Sequence, residues 1–418
     1  MPTPSTRSFS VNGRSYSPPA CPVVVICIDG CADEYLSVSI ARGKAPHIAK
    51  LAAVGYRGMA RACLPTFTNV NNGAIVTGTP PSATGICGNF FLDPETGEEV
   101  MMNDSKFLRN DTILAAAEQA GRKVAFVTAK DKLRELYAKG MRPDGLHFSA
   151  EKADEAKQRC GIDIEALVGP RPDIYSGDAS VYTLKAGVRL IEEGHADFLY
   201  LSLTDYMQHA YAPEEPESLA FYAALDGQVG RMLGLGAVVA ATADHGMNAK
   251  CDGDGAPQVI YLEDLLEAEF GEGVKVICPI TDPYVVHHGA LGSAVTVHLP
   301  EKILAEPGGL RRVQQWVLER PGITEVVDKA IAVKKVQLAA DRIGDLYVFS
   351  ARDVVIGRRP EYHDISALKK TLRSHGGRYE EMVPLLVSRP LSPAYLRKAQ
   401  GDPRNFDVFD FACNSANS

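Results

Sequence analysis

Residues 237–247 read AVVAATADHGM, an apolar run that stops at Asp244 and His245 with Gly246 directly behind. A run rich in Val and Ala and bounded by glycines fits a strand buried on both faces, which turns its first polar side chains out at its carboxyl edge. Open α/β sheets gather their chemistry at that edge. The same grammar occurs twice more: Val23 to Ile28 (VVVICI) ends at Asp29, and Phe198 to Thr204 (FLYLSLT) ends at Asp205, with His209 four residues on. If these strands lie parallel in one sheet, three carboxylates and two imidazoles meet along one rim. Such a cluster of anions would repel itself, so a cation is expected among them.

A single Asp after a strand is ordinarily a helix cap or turn residue, and a single His an ordinary hydrogen-bonded polar group. Three strand-terminal Asp residues, two of them accompanied by His at i+1 and i+4, exceed what capping explains and point to a metal site.

At 418 residues the chain exceeds the size at which single cores stop growing, so one large α/β domain and a smaller one are expected. Net charge is −8 and no block of Lys or Arg stands out, which argues against nucleic acid or a membrane surface as partner. The nine Cys are scattered singly without CxxC spacing, the pattern of reduced thiols in the cytoplasm rather than of disulfides or a thiolate zinc site. The Pro/Ser-rich residues 1–20 read as a tail. The first apolar run is too short and late for a signal peptide, and no segment reaches the length of a membrane helix.

After Asp29, Ala45 to Ala53 reads as a crossover helix with Pro at its start, and a short strand is expected around Gly58 to Ala62. CLPTFTNVNNG (63–73) then leads into a small-residue helix at Asn72 to Thr77, placing Thr68 near a helix N-terminus, where N–H groups favour an anion or an alkoxide. Plain N-capping is the simpler role for Thr68. Asn89, in GNFF, is either a turn residue or a donor to an oxyanion. Asp111 to Ala120 reads as a helix and Lys123 to Thr128 (KVAFVT) as a strand that empties into Ala129-Lys130-Asp131-Lys132. Two lysines two apart lie on one side of an extended segment, as surface charges or as a clamp for an anionic substrate. Leu133 to Asp178 reads as loop with charged helical pieces. Ala179 to Glu193 and Glu215 to Leu233 are helices feeding the strands that end in Asp205 and Asp244.

Beyond His245, Val259 to Phe270 is helix-like. Ala294 to Leu299, Ile323 to Ala332 and Asp345 to Phe349 read as strands, with a helix at Leu310 to Glu319. This order suits a small α+β module, and residues 277–366 are expected to form a cap inserted into a core of 21–276 plus 367–418. MVPLLV at Met382 to Val387 would rejoin the main sheet. A third histidine could be His287, His288 or His375, with His375 preferred because it precedes a core strand. Tyr16, Asp33, Asn71, Asp282 and His288 are further candidates to line the pocket.

Asp29, TFTN around Thr68, GNFF around Asn89, Asp205-Tyr-Met-Gln-His209, Asp244-His245-Gly246 and His375-Gly376-Gly377, in this order, resemble the alkaline phosphatase superfamily. The set is similar above all to its nucleotide pyrophosphatase/phosphodiesterase-like branch and, through Lys130 and Lys132 in TAKDK, to the phosphonoacetate hydrolases within it. The resemblance covers nearly the whole chain and implies a doubly wound, mostly parallel sheet with an inserted α+β cap. It implies two zinc ions per subunit, with Mn²⁺ or Fe²⁺ as substitutes. Asp29, Thr68, Asp244 and His245 would hold one ion, and Asp205, His209 and His375 the other.

Thr68 would be the nucleophile. Asn89 and a backbone N–H near Thr68 or Asn69 would hold substrate oxygens, and Lys130 and Lys132 the carboxylate of a small phosphonate. The implied reaction is cleavage of the C–P bond of phosphonoacetate to acetate and phosphate. A phosphodiesterase or nucleotide pyrophosphatase cleaving P–O bonds is the alternative, with Phe90, Phe91 and Tyr206 framing a base. A metal-binding protein without turnover is a third reading. A homodimer is compatible with all of these.

Overall fold

The computed structural model describes residues 4–282, 288–366, 368 and 370–415. Its centre is a seven-stranded sheet. Six of the strands come in the first part of the chain: β1 (Val23–Cys27), β2 (Tyr56–Arg61), β3 (Val124–Thr128), β4 (Leu146–Ser149), β5 (Phe198–Ser202) and β6 (Val238–Thr242). A second, four-stranded sheet follows, with β7 (Lys275–Ile277), β8 (Ala294–His298), β9 (Ile323–Asp328) and β10 (Leu346–Ser350), before the chain returns to the first sheet through β11 (Met382–Val387).

The main sheet runs β2-β11-β6-β1-β5-β3-β4. The neighbours β6, β1, β5, β3 and β4 are all parallel, while β11 runs antiparallel to both β6 and β2. Strands β1, β3, β5 and β6 are buried at every position, as expected of parallel strands covered on both faces. Side-chain alternation along β5 shows the two layers. Phe198 and Tyr200 meet Phe409 of the C-terminal helix at 5.7 Å. Leu201 points the other way, so close to Gly187 that a Cβ there would lie 2.6 Å from a Leu201 methyl.

Crossover helices α1 (Pro46–Val54), α2 (Thr68–Thr77), α3 (Asp131–Tyr137), α4 (Asp178–Glu192) and α5 (Pro216–Gly234) link these strands. The fold is therefore the doubly wound, mostly parallel arrangement that the three Asp-terminated runs predict.

Several local expectations are corrected. The segment after Leu133, read as loop, contains the edge strand β4, and α3 begins at Asp131. Helix α2 starts at Thr68, four residues earlier than expected. Residues Val259–Tyr261 form a strand before the helix Leu262–Phe270. Strand β9 stops at Asp328, because the Asp328 side chain accepts from the N–H of Ile331 and caps a helical turn, so the expected strand does not reach Ala332.

The second sheet runs β7-β8-β10-β9, entirely antiparallel. It is accompanied by α6 (Gly309–Leu318), which buries Val313 and Val317 and sets Trp316 edge-on against Phe270. We propose this module as the inserted cap, with its first strand beginning just ahead of residue 277.

One glycine shows how tightly the carboxyl edge is packed. Gly30 has φ +69°, and a Cβ there would stand 3.0 Å from Asp205 Cβ and 3.3 Å from Gln208 Cβ. Gly30→Ala is expected to lower stability by about 1–3 kcal/mol in urea unfolding through left-handed strain and crowding. Gly253→Ala, where a Cβ meets nothing within 4 Å, should stay within about 0.5 kcal/mol of the parent.

Candidate active site

The register of the sheet brings the acids together. Cys27 of β1 pairs with Thr242 of β6 on one side and Ser202 of β5 on the other. Asp29 and Asp244 thus lie two residues beyond the paired level, and Asp205 three. All three carboxylates are buried. Asp205 precedes a short helix, Tyr206–Ala210, whose first turn lifts His209 over it, with His209 Nε2 2.9 Å from Asp205 Oδ2. His375 Nε2 lies 3.7 Å from the same oxygen. His245 Nε2 is 3.3 Å from Asp29 Oδ1, 4.0 Å from Asp244 Oδ2 and 3.4 Å from Thr68 Oγ1.

The three imidazoles share one orientation device. Nδ1 of His209 donates to the Arg373 carbonyl (2.7 Å), that of His245 to Gly246 (2.8 Å), and that of His375 to Thr66 (2.7 Å). A carbonyl only accepts, so each Nδ1 carries a proton and each Nε2 is the nitrogen turned to the cluster, as in metal-ligating histidines.

Thr68 is the first residue of α2, and the capping position belongs to Phe67, which supplies no side-chain cap. The capping role considered for Thr68 is therefore not the one it plays. Its hydroxyl faces His245, at the end of the helix where backbone N–H groups are exposed. The N–H of Asn69 is taken by Asn89 Oδ1 at 3.1 Å. This leaves the Asn89 amide nitrogen as that side chain's donor end and removes Asn69 N–H from the expected substrate donors.

Burial, together with the charges of Asp205 and Asp244, pushes the Asp29 carboxyl well above its usual range. Burial pushes Asp244 up as well. For His245 burial works the other way but is outweighed by Asp244 and Asp29, which raise it to about 10. Burial and the neighbouring His245 drive His375 well down. Without a cation such a cluster retains protons, whereas a dication would take their place.

The donor set fits one. Asp29 Oδ1 is buried and accepts no hydrogen bond. Ligand atoms of Asp205, His209 and His375 lie within 4.8 Å of one another, as do those of Asp29, Asp205 and His245. Asp205 therefore stands within reach of both groups, a placement the expected division of ligands did not include. Asp244 sits behind, its Oδ1 accepting from the N–H groups of Gly30 and His245 and its Oδ2 from Asn72 Nδ2.

The lysines reach the same place by a different route from the one expected. Asp131 begins α3, so Lys130 and Lys132 do not lie along an extended strand. Both are nonetheless largely buried. Lys130 Nζ lies 4.0 Å from Asp205 Oδ1, and Lys132 is ion-paired with Asp282. Burial opposes charge on Lys130, but Asp205, Asp29 and Asp282 outweigh it and raise its pKa.

Of the further lining candidates, Asp282 is there, and the His288 ring stands 5.2 Å from that of His209. Tyr16 is stacked on Phe9 in the core, Asp33 pairs with Arg57, and Asn71 accepts from the Cys63 N–H. His287 lies outside the described residues.

Residues 23–378 match the sequence profile of the type I phosphodiesterase/nucleotide pyrophosphatase family. This chain belongs to that family. Crystal structures of phosphonoacetate hydrolase from Sinorhizobium meliloti, one with phosphonoformate and one with phosphonoacetate, are 43% identical to this type I phosphodiesterase family member, with a TM-score of 0.90 over 99% of this chain and 100% of theirs. It is thus a member of the phosphonoacetate hydrolase group within the alkaline phosphatase superfamily. Human ectonucleotide pyrophosphatase/phosphodiesterase 5, 16% identical with a TM-score of 0.63 over 94% of each chain, shares the fold.

Two groups in this phosphodiesterase-family site carry no sequence signal of their own. Asn72, one turn into α2, bonds Asp244 and the Thr68 carbonyl through Nδ2, while Tyr200 and Ser202 donate to its Oδ1. It reads as a weak helix former until the sheet is seen behind it. Asp131, between the lysines, accepts from Arg134 Nε (2.6 Å) and Ser149 Oγ (2.8 Å). Burial opposes its ionisation, but these partners and Lys152 hold its carboxyl well below the usual range. Asp131→Asn is expected to lower stability by about 2 kcal/mol at pH 7. A depressed folded-state pKa makes that advantage complete above about pH 4 and lost as pH falls further, so urea unfolding at pH 7 and 3.5 should show the gap narrowing. An equal gap at both would assign the effect to packing.

Proposed function

We propose that this chain hydrolyses the C–P bond of phosphonoacetate to acetate and phosphate, with two zinc ions and Thr68 as nucleophile. The observation that carries this reading is the pair of largely buried lysines, Lys130 and Lys132, beside an O/N ligand cluster that includes Thr68. The phosphonoacetate-bound relative, similar over nearly the whole chain, supports it. Asp29, Thr68, Asp244 and His245 would hold one ion and Asp205, His209 and His375 the other, with Mn²⁺ or Fe²⁺ chemically acceptable. When bound, the ions would supply charge that offsets the carboxylates and lowers the pKa of the Thr68 hydroxyl. The nine free cysteines suit a cytoplasmic enzyme.

Thr68 Oγ1, its proton released to solvent, attacks phosphorus, and the O–P bond forms as the C–P bond breaks. The departing electron pair spreads into the adjoining carboxylate as an enolate-like form, and the carbon then takes a proton from solvent to give acetate. Lys130 and Lys132 stabilise charge where it develops, at the carboxylate rather than at phosphorus. The Asn89 amide nitrogen donates to a phosphonate oxygen. Water then hydrolyses the phosphothreonine, releasing phosphate and restoring Thr68.

Cleavage of a P–O ester would draw on the same acids and histidines. The base-framing aromatics proposed for it are not all available, because Phe91 is buried edge-on against Phe107.

Phosphate release from phosphonoacetate, an alkylphosphonate without the carboxylate and a nitrophenyl nucleotide ester separates these readings. Phosphonoacetate should be the preferred substrate, the alkylphosphonate should be inert, and a chelator should abolish turnover until zinc is restored. Lys130→Ala and Lys132→Ala should each reduce kcat/KM for phosphonoacetate by about 10²- to 10³-fold. Thr68→Ala should lose at least about 10³-fold. Full activity in both lysine variants would sink the substrate assignment, and an active Thr68→Ala the nucleophile.

A further inference from the structure

His245 and His375 come from opposite sides of the second sheet in sequence, yet their rings stack at 3.5 Å and 7°. Stacked imidazoles aimed at different carboxylates must be held from behind. Part of that support is a two-residue antiparallel pairing, Asn248 with Ser374 and Ala249 with Arg373, continued by Lys250 N–H donating to the Leu372 carbonyl. The rest converges on one side chain and its backbone. The Glu380 carbonyl accepts from the N–H of Gly246, next to His245, at 2.8 Å. Glu380 Oε2 accepts from the N–H of Gly377, two residues past His375, at 3.0 Å. Oε1 accepts from Asn248 Nδ2 (2.6 Å) and Lys250 Nζ (2.9 Å). The Lys250 and Glu380 side chains are both 0% exposed, and Lys250 donates again to the Arg352 carbonyl at 2.7 Å.

A buried ion pair is a poor source of stability, because desolvation offsets the attraction and apolar replacements of similar volume are often neutral. Here the pair is bonded to both histidine-bearing segments and to the strand pairing between them, so its effect falls on geometry. We propose that Glu380, anchored by Lys250, is a positioning residue that sets the spacing of His245 and His375 and so couples the two metal sites. The inference rests on the zinc reading given above. Loosening Glu380 lets both histidines move, and the affinity for both ions falls together.

Zinc stoichiometry and affinity, by elemental analysis and chelator competition, together with the melting temperature of the metal-free protein, test this in full-length wild type, Glu380→Gln and the double variant Lys250→Met/Glu380→Leu. Glu380→Gln leaves Lys250 buried without a counter-charge and should lose both stability and zinc. The double variant removes both charges. It should lose less of the metal-free melting temperature than Glu380→Gln, because no buried charge is left alone, while both zinc ions weaken together by about 10- to 100-fold. Wild-type affinity in the double variant, loss of one ion alone, or zinc affinities that simply rank with the melting temperatures of the two variants would each overturn the inference. A wild-type protein that binds no zinc would overturn the zinc reading itself.

Discussion

Three carboxylates buried at one edge of one sheet are the constraint on which the rest of this structure turns. At an effective dielectric near 20, two like charges about 5 Å apart cost roughly 3 kcal/mol, and Asp29, Asp205 and Asp244 present that cost several times over. Much of what surrounds them offsets it. Asn72 and the N–H groups of Gly30 and His245 take up the oxygens of Asp244, the raised His245 imidazole adds positive charge, and Lys130 lies beside Asp205. Burial first, and the neighbouring carboxylates with it, still raise the carboxyls of Asp29 and Asp244. A cation at the centre would complete the arrangement, and the ligand atoms of Asp205, His209 and His375 and of Asp29, Asp205 and His245 are grouped closely enough to hold one.

Parallel strands make this crowding possible. Adjacent parallel strands end at the same level, so acids placed just past each carboxyl end face one another without any long loop. The antiparallel strand β11 contributes differently. The chain approaches it from the active-site end of the sheet, so the segment just before it can carry His375 to the rim already occupied by His245. One reversed strand thus lets residues more than a hundred apart in sequence share a site, and residues 243–381 leave the main sheet and return to it at that edge.

What could be read from sequence follows the same physics. VVVICI, FLYLSLT and AVVAATA are legible because a strand buried on both faces is a continuous apolar run, and each ends in an unmistakable acid. LHFS (146–149) and KVI (275–277) are not, since an edge strand of three or four mixed residues has no period to detect. The run from Ile323 to Ala332 is apolar enough to suggest one long strand, but a side-chain cap from Asp328 decides its end. Strand alternation places Lys130 and Lys132 on one side of an extended segment, whereas the structure turns them inward across the start of a helix. Asn72 and Glu380 carry no sequence signature, because each acts through partners 130 to 172 residues away.

The cage and the rim answer different chemical questions. Cations held by Asp29, Asp205, Asp244 and the histidines would offset charge on any phosphoryl oxygen, so this cluster would not distinguish a carbon leaving group from an oxygen one. An ester oxygen accepts the departing electron pair readily, but a carbanion does so only when the charge has somewhere to spread and something to meet it. The groups that would meet it come from one short stretch after β3, Ala129 to Lys132, held from beneath by Asp131 through Arg134, Ser149 and Lys152. Because Lys132 is paired with Asp282 from the segment after β7, the rim carries less net positive charge than two lysines would give it. That balance suits a single carboxylate better than a second phosphate. On this reading the sheet edge determines that phosphorus is attacked, and the loop after β3 determines which bond to phosphorus breaks.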